Sequence, residues 1–380
     1  MKNIKNKKIA IVGGGPGGLT LARLLQMNGA DVNVYERDIN KNARVQGATL
    51  DMHEESGLRA LREAELMEAF KANYRPGAEQ LHIMDKNANV VFEDHPKTEE
   101  NISRPEIDRG PLQQILLDSL QPGTVVWGSN FEALLPQNGS WKLEFKNGTS
   151  AFADIVIAAD GANSKLRPYI TPIKPFYAGI MVVEGAVYNS ETASPKIHKL
   201  LNGGKIFVMG DEKSLVVSSK GDGSLVFYTS WKTEENWSRR IGIDFTNKVQ
   251  VLEWFKAEYT GWDSVYQELF ENATSAFVPR PQYCMPLDQT WKALPNLTML
   301  GDAAHLMPPF AGEGVNMAML DAVELSNCLT SEAFATVQQA IASYETQMRK
   351  RAAETTKDTL EATVALHSPG AISFFLNLIS

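Results

Sequence analysis

The stretch from Lys7 to Arg37, KKIAIVGGGPGGLTLARLLQMNGADVNVYER, limits what this chain can fold into more than any other. Ile9, Ala10, Ile11 and Val12 form a short apolar run of the kind buried on both faces of a parallel sheet. Gly13, Gly15 and Gly18 follow at GxGxxG spacing. Leu19, Leu21, Ala22, Leu24 and Leu25 then fall on one helical face, with Gly29 as the expected helix stop. Val32 and Val34 open a second strand that ends in Glu36. Each glycine answers a separate need: Gly13 a tight turn, Gly15 close approach of a pyrophosphate to backbone, and Gly18 tight packing of helix on strand. The helix N-terminus offers free N–H groups and partial positive charge to phosphates. Glu36 stands where a carboxylate accepts hydrogen bonds from ribose hydroxyls.

Composition narrows the class further. A chain of 380 residues can bury the cores of two domains. Its net charge of −8, with no dense Lys/Arg patch, argues against nucleic acid as a partner. No apolar run reaches the ~18 residues of a membrane span, so no membrane partner is expected. The first strand opens almost at once, so no leader is expected. Cys284 and Cys328 stand alone, without a CxxC pair, and imply a reducing, cytoplasmic setting, buried inert thiols and no bound metal.

Along the chain, a polar loop (Arg44 to Asp51) precedes a helical pattern that runs to Phe70. Residues 73–96 read as a hairpin turning near Lys86–Asn89, and Arg109 to Leu120 as an amphipathic helix with Pro111 in its first turn. Ile155–Ala159 is a buried strand ending in Asp160-Gly161. From Ala178 to Tyr228 the rhythm changes to alternating short strands, which marks an antiparallel sheet. Lys248 to Phe270 reads as helix, and Leu297–Met299 as a strand leading into Gly301-Asp302. A helix is expected to start near Val315, and a long helix to run beyond Leu320 to about His367. The C-terminal AISFFLNLIS is expected to be a helix packed on the body. One α/β domain therefore starts and finishes the chain around an antiparallel insertion, and only one dinucleotide fingerprint is present.

The third motif, LGDAAHLMPPFAGEGVN (residues 300–316), delivers a carboxylate, Asp302, at the carboxyl end of a strand, where ligands bind in open α/β sheets. Pro308, Pro309 and Phe310 make a rigid apolar wall, and Gly312 and Gly314 free the backbone before the helix. His305 reads as a packed histidine with no catalytic role.

GGGPGG with Glu36-Arg37, Asp160-Gly161 and GDAAHLMPPFAGEGVN together resemble the single-component, FAD-dependent aromatic monooxygenases of the para-hydroxybenzoate hydroxylase type. The resemblance spans the whole chain. Arg44 with the following GATLDMH, the segment RPEIDRGPLQQILLDSL and the LMPPFAGEGVN loop are similar to the tetracycline-inactivating Tet(X)-type branch. What this implies is a Rossmann-like FAD-binding domain (1–73, 97–172 and 278–328), an inserted antiparallel substrate domain (74–96 and 173–277) and a C-terminal helical segment (329–380).

By the same resemblance, Gly13, Gly15, Gly18 and Glu36 would hold the ADP half of FAD, with Arg37 near the adenine. Asp51, Arg109, Asp160 and Asp302 would contact the cofactor, Asp302 at the ribityl chain. Pro309, Gly312, Gly314, Val315 and Asn316 would line the isoalloxazine, and Arg44 would serve NADPH as transient reductant. The implied reaction is hydroxylation of a polycyclic aromatic or phenolic substrate by O2 through a flavin C4a hydroperoxide, in a monomer, with a tetracycline-type antibiotic as substrate. Glu184, Lys205, Phe207 and Phe310 are the candidate substrate contacts. Here the chain departs from that branch, which carries glutamine, arginine and histidine where this sequence has Glu184, Lys205 and Val226. Lysine lacks the planar donor fork of arginine, valine has no polar atom, and glutamate only accepts. Another aromatic metabolite, or drug sequestration without catalysis, are the alternative readings. A halogenase is disfavoured because no WxWxIP segment occurs. A disulfide reductase is disfavoured because a second fingerprint and a CxxxxC pair are missing.

Overall fold

The computed structural model describes residues 4–43, 47–94 and 104–379, with side chains to residue 377. Its first layer is the parallel sheet announced by the apolar runs. Across it lie Leu297–Met299, Ile155–Ala158, Lys8–Val12, Asp31–Tyr35 and Val125–Val126. Ile9, Ile11, Ile155 and Ile157 are paired in register and fully buried, as strands covered on both faces must be. The helix Pro16–Met27 covers one face through Leu19, Leu21, Leu24 and Leu25, and packs beside the later helix Gly314–Thr330. A three-stranded antiparallel sheet, Phe131–Gln137, Ser140–Phe145 and Ser150–Ala153, flanks this layer.

The second unit is a seven-stranded sheet in the order Val278–Cys284, Phe176–Val187, Leu225–Lys232, Lys213–Ser219, Lys205–Gly210, Leu81–Asp85 and Val90–Glu93. Its pairings are antiparallel except that between Lys205–Gly210 and Leu81–Asp85. Alternation divides its faces. Met181, Val183, Ile206, Val208, Leu215, Val217 and Phe227 point to an aromatic core with Trp254, Phe255, Tyr266, Phe270 and Phe277. Phe255 and Phe270 stack there with centroids 4.0 Å apart. Residues of the opposite parity, among them Glu184, Lys205, Phe207, Val226 and Tyr228, share the other face.

Three expectations need correction. The expected return to the first layer at residue 278 is one strand early, because Val278–Cys284 is an edge strand of the seven-stranded sheet and the parallel sheet regains the chain at Leu297. The helix expected over Lys248 to Phe270 is broken after Glu258, where the chain turns through Tyr259–Asp263 into a 3-10 turn and the short helix Gln267–Glu271. The long helix is two, Gly314–Thr330 and Val337–Leu366. Thr336 restarts the second by accepting from the Gln339 N–H at 3.2 Å, so the Thr-x-x-Gln pattern carried the signal. The expected C-terminal helix is present at Ala371–Ile379, and Ala371 and Phe375 pack with Ile83, Phe207 and Met209. Both cysteines are free, Cys284 buried and Cys328 half-buried, and among the described residues no helix is long and apolar enough to cross a membrane.

Gly18 lets the helix sit close on the turn and strand: an added Cβ would lie 2.2 Å from the Gly13 carbonyl oxygen and 3.3 Å from Ile11. Gly18→Ala is expected to lower stability by about 2–3 kcal/mol through forced separation of helix and strand. A fall in the urea midpoint at unchanged slope checks this.

Candidate active site

The glycine turn is held by sterics and by one carboxylate. Gly13 has φ +113°, and a side chain there would meet the Ala159 carbonyl oxygen at 2.1 Å. Gly14 N–H donates to Glu36 Oε2 at 2.6 Å, and Asp38 N–H to Glu36 Oε1 at 3.0 Å. Glu36, only 6% exposed, thus braces the loop it was expected to serve from across the cleft. A carboxylate retains further lone pairs for ribose hydroxyls. Gly15 is the helix N-cap in extended conformation, and a Cβ built on it meets nothing within 4 Å. The helix, opened by Pro16, has no side-chain cap at this end. Arg37 is exposed, with its Nε 3.9 Å from Asp38 Oδ1.

Two further carboxylates stand at strand ends of the same sheet. Asp160 follows Ile155–Ala158; its Oδ2 accepts from the Lys165 and Leu166 N–H groups at 2.8 and 3.3 Å. Its Oδ1 is buried with no partner among the described residues. Asp302 follows Leu297–Met299 through Gly301, whose φ of +60° turns the chain. Burial pushes the Asp302 carboxyl pKa up, against the opposing charges of His305, Arg109 and Arg167. Arg109 itself is desolvated, which lowers its pKa, and lies among Tyr228, Asp302, Glu184 and Arg280; its Nε donates to the Ala48 carbonyl at 3.1 Å.

The loop after Asp302 closes on a two-stranded ladder, Leu50–Asp51 with Glu106–Ile107. Pro309–Ala311 forms a 3-10 turn, Gly312 is left-handed, and Gly314 opens the helix with Val315 half-buried behind it. Asn316 is 1% exposed, and its amide bonds to the chain at both ends: Nδ2 donates to the Asp51 carbonyl at 2.8 Å, and Oδ1 accepts from His53 N–H at 3.0 Å. It therefore staples the loop to the 51–53 strand. Sequence reasoning missed the partner at that joint. His53 Nε2 lies 3.0 Å from Asp51 Oδ2, and Nδ1 3.3 Å from Glu313 Oε1. Burial alone would depress its pKa, but hydrogen bonds and charge from Asp51 and Glu313 raise it to about 9. The same contact, with Lys205, holds Asp51 below the ordinary carboxylate range against the opposing effect of burial. The signal was present in Asp51-Met52-His53, where i and i+2 of an extended chain share a face.

The seven-stranded sheet presents its outer face to this edge. Glu184, Tyr228, Val216, Phe207 and Ile83 form one cross-strand row, and Ala186, Val226, Ser218, Lys205 and Leu81 the next. The expected substrate residues Glu184, Lys205 and Phe207, with Val226, thus share one face. Two of them have partners in the chain. Lys205 Nζ pairs with the buried Glu106, and Glu184 Oε2 accepts from Arg280 Nε at 2.5 Å. Tyr228 lies between the two layers, its hydroxyl oxygen accepting from Ala48 N–H at 3.1 Å. Phe207 packs on Phe375 at 5.2 Å and Phe310 on the His367 ring at 5.1 Å, forming an aromatic wall. Arg44 lies outside the described residues. Among those described, no group of three or more His, Cys, Asp and Glu side chains could hold a metal.

The residues fit a flavin dinucleotide. An open glycine cradle, a buried carboxylate oxygen at Asp160 without a partner and a desolvated Asp302 are spread along one sheet edge, as a long polyhydroxylated diphosphate requires. His53 gives a pH test. Its pKa is raised above the unfolded value, so its contribution is complete below about pH 6.5 and is lost as pH rises through about 9. A shift of that size is worth about 3 kcal/mol. Thermal stability of the wild type is expected to fall between about pH 6.5 and pH 9, and His53→Gln to flatten that decline while lowering stability at neutral pH.

Comparison with known proteins agrees with this geometry. The FAD binding domain family model matches residues 6–359. The monooxygenase asqM of Emericella nidulans is 29% identical over 370 residues, 84% of this chain and 83% of that protein. An FAD-dependent urate hydroxylase of Mycolicibacterium vanbaalenii is 28% identical over 357 residues, 91% of this chain and 85% of its own. In fold, the tetracycline destructase Tet(51) superposes with a TM-score of 0.73 at 18% identity, covering 100% of this chain and 95% of that one. The chain belongs to the FAD binding domain family and is an FAD-dependent aromatic monooxygenase of the para-hydroxybenzoate hydroxylase type.

Proposed function

We propose that this monooxygenase hydroxylates a polycyclic or phenolic aromatic substrate with O2, taking electrons from NADPH, and that a tetracycline-type antibiotic is the first substrate to test. The observation that carries the reading is the facing of two surfaces: the outer face of the seven-stranded sheet and the carboxyl edge of the parallel sheet, joined at Tyr228, Lys205 and Glu106. A flat ring between them would meet the Phe207–Phe375 and Phe310–His367 wall on one side.

In this reading Gly13, Gly15, Gly18 and Glu36 hold the ADP half of the cofactor, with Arg37 at its rim. Asp51, Arg109, Asp160, Asp302 and the 309–316 loop hold the flavin half. When bound, the flavin supplies the activation of O2. The chain's residues bind, orient and exclude water. The desolvated guanidinium of Arg109 and the N-terminus of the Gly314–Thr330 helix bring positive charge to the ring-binding end of the cleft. Arg280 neutralises Glu184, so the acid that replaces an amide need not repel an electron-rich substrate.

Hydroxylation of a smaller aromatic is the second reading. It is favoured by the 28% identical relative named a urate hydroxylase and by the replacements at Glu184, Lys205 and Val226. Incubation with NADPH, air and a panel of tetracyclines, followed by mass spectrometry, tests the proposal. A product heavier by one oxygen atom is expected for at least one drug. Unmodified drugs with continued NADPH consumption on other phenols would transfer the assignment to those, and no consumption above background on any substrate would favour a binding protein. Asp302→Ala is expected to purify as colourless, flavin-poor protein; full yellow colour would remove Asp302 from the site.

A further inference from the structure

The Asp302 turn is gripped by a buried ionic chain. Asp321, from the helix Gly314–Thr330, is fully buried and accepts three hydrogen bonds. They come from Gly301 N–H at 2.9 Å and His305 Nε2 at 2.5 Å on Oδ2, and from Arg351 Nη2 at 2.6 Å on Oδ1. Arg351 reaches over from the helix Val337–Leu366 and also pairs with Glu324 at 2.5 Å. On the other side Arg167 donates to the carbonyls of Asp302 and Ala303, at 2.8 and 2.6 Å. The Gly301–Ala303 backbone is thus fixed from both sides by charged groups. His305 is 1% exposed, and its Nδ1 is buried with no partner among the described residues.

A histidine this buried is ordinarily neutral, because removal from water penalises the charged form. Here the anionic Asp321 touches it and Asp302 lies nearby, and together they raise its pKa against the effect of burial. A cationic imidazole carries a proton on each ring nitrogen, so Nδ1–H is a buried donor with no acceptor among the described residues. The charged groups facing Asp302 are His305, Arg109 and Arg167. Those facing His305 are Asp321, Asp302 and Arg351, and Arg167 also faces Asp160. Burial raises the Asp302 pKa, and its three cations oppose it, His305 most.

We infer that His305, held as a cation by Asp321, is a cofactor-positioning residue: its charge keeps the buried Asp302 carboxylate ionised, so that Asp302 can accept hydrogen bonds from the polyhydroxyl chain of the flavin. The inference rests on the reading of Asp302 as a cofactor contact. Arg167 adds charge as well and also fixes the backbone, whereas His305 contributes through its charge.

The test is the pH dependence of FAD affinity, measured on the full-length apo chain by flavin fluorescence quenching. No group of the cofactor itself titrates between about pH 6 and pH 8. Wild-type affinity is expected to vary little over that range. In His305→Asn, loss of the charge shifts the Asp302 titration upward, and affinity is expected to fall about tenfold from pH 8 to pH 6 for each unit by which that pKa enters the range. Asp321→Asn, which leaves the side-chain shape but not the charge that holds the imidazolium, should show the same slope and guards against a misfolded His305 variant. Asp302→Asn should bind weakly at every pH. A His305→Asn profile parallel to wild type, whether tight or uniformly weak, would overturn the inference. Wild-type affinity in Asp302→Asn would instead overturn the reading of Asp302.

Discussion

A carboxylate carried out of water at the end of a strand stays charged only if the fold supplies opposite charge or hydrogen-bond donors in place of solvent. Much of this molecule is arranged around that constraint. Glu36 is compensated by loop N–H groups, Asp160 by the Lys165–Leu166 turn, Asp51 by His53, and Asp302 by Arg109, Arg167 and His305. Glu36, Asp160 and Asp302 stand with the glycine cradle at the carboxyl ends of the parallel strands, and Asp51 lies on the short ladder that the 309–316 loop meets. The same edge would be indifferent to a ligand if the acids were neutral.

The ionic contacts also bind the two layers together. Lys205 belongs to the seven-stranded sheet, Glu106 and Asp51 to the short ladder, and Glu313 to the loop that precedes the Gly314–Thr330 helix. Glu106 to Lys205 to Asp51 to His53 to Glu313 makes a chain of alternating charge across the cleft. Buried pairs of this kind add little net stability over apolar packing, but loss of one member leaves an uncompensated charge. Lys205, read from the sequence as a substrate contact, has a structural partner, and the freedom of its amine toward a ligand depends on Glu106.

The parallel strands were legible because residues 9–12 and 155–158 are apolar without interruption, and the glycine turn because its spacing has a steric cause. The face of the second sheet was legible from alternation alone, which is why Glu184, Lys205 and Phe207 share one face. Pairings set by tertiary contact were not legible. Nothing local to Glu184 announces Arg280, 96 residues away, and nothing local to His305 announces Asp321 and Arg351. The break at residues 331–336 was missed because Ala333, Phe334 and Ala335 continue an apolar pattern that Thr336 interrupts only through its cap. The bonds of the Asn316 side chain to Asp51 and His53 were likewise not legible, because they cross more than 260 residues.

Gly15 separates cofactor binding from folding more cleanly than any other position. Its backbone is extended, and a side chain there would project into open space. A Gly15→Val chain should therefore unfold at the same temperature as the wild-type apoprotein. Titration with FAD should reach one equivalent per chain in the wild type, with the absorbance of bound flavin, and show no saturable binding in the variant. FAD bound as tightly by Gly15→Val, or no flavin taken up by folded wild-type protein, would contradict a cofactor laid across this sheet edge.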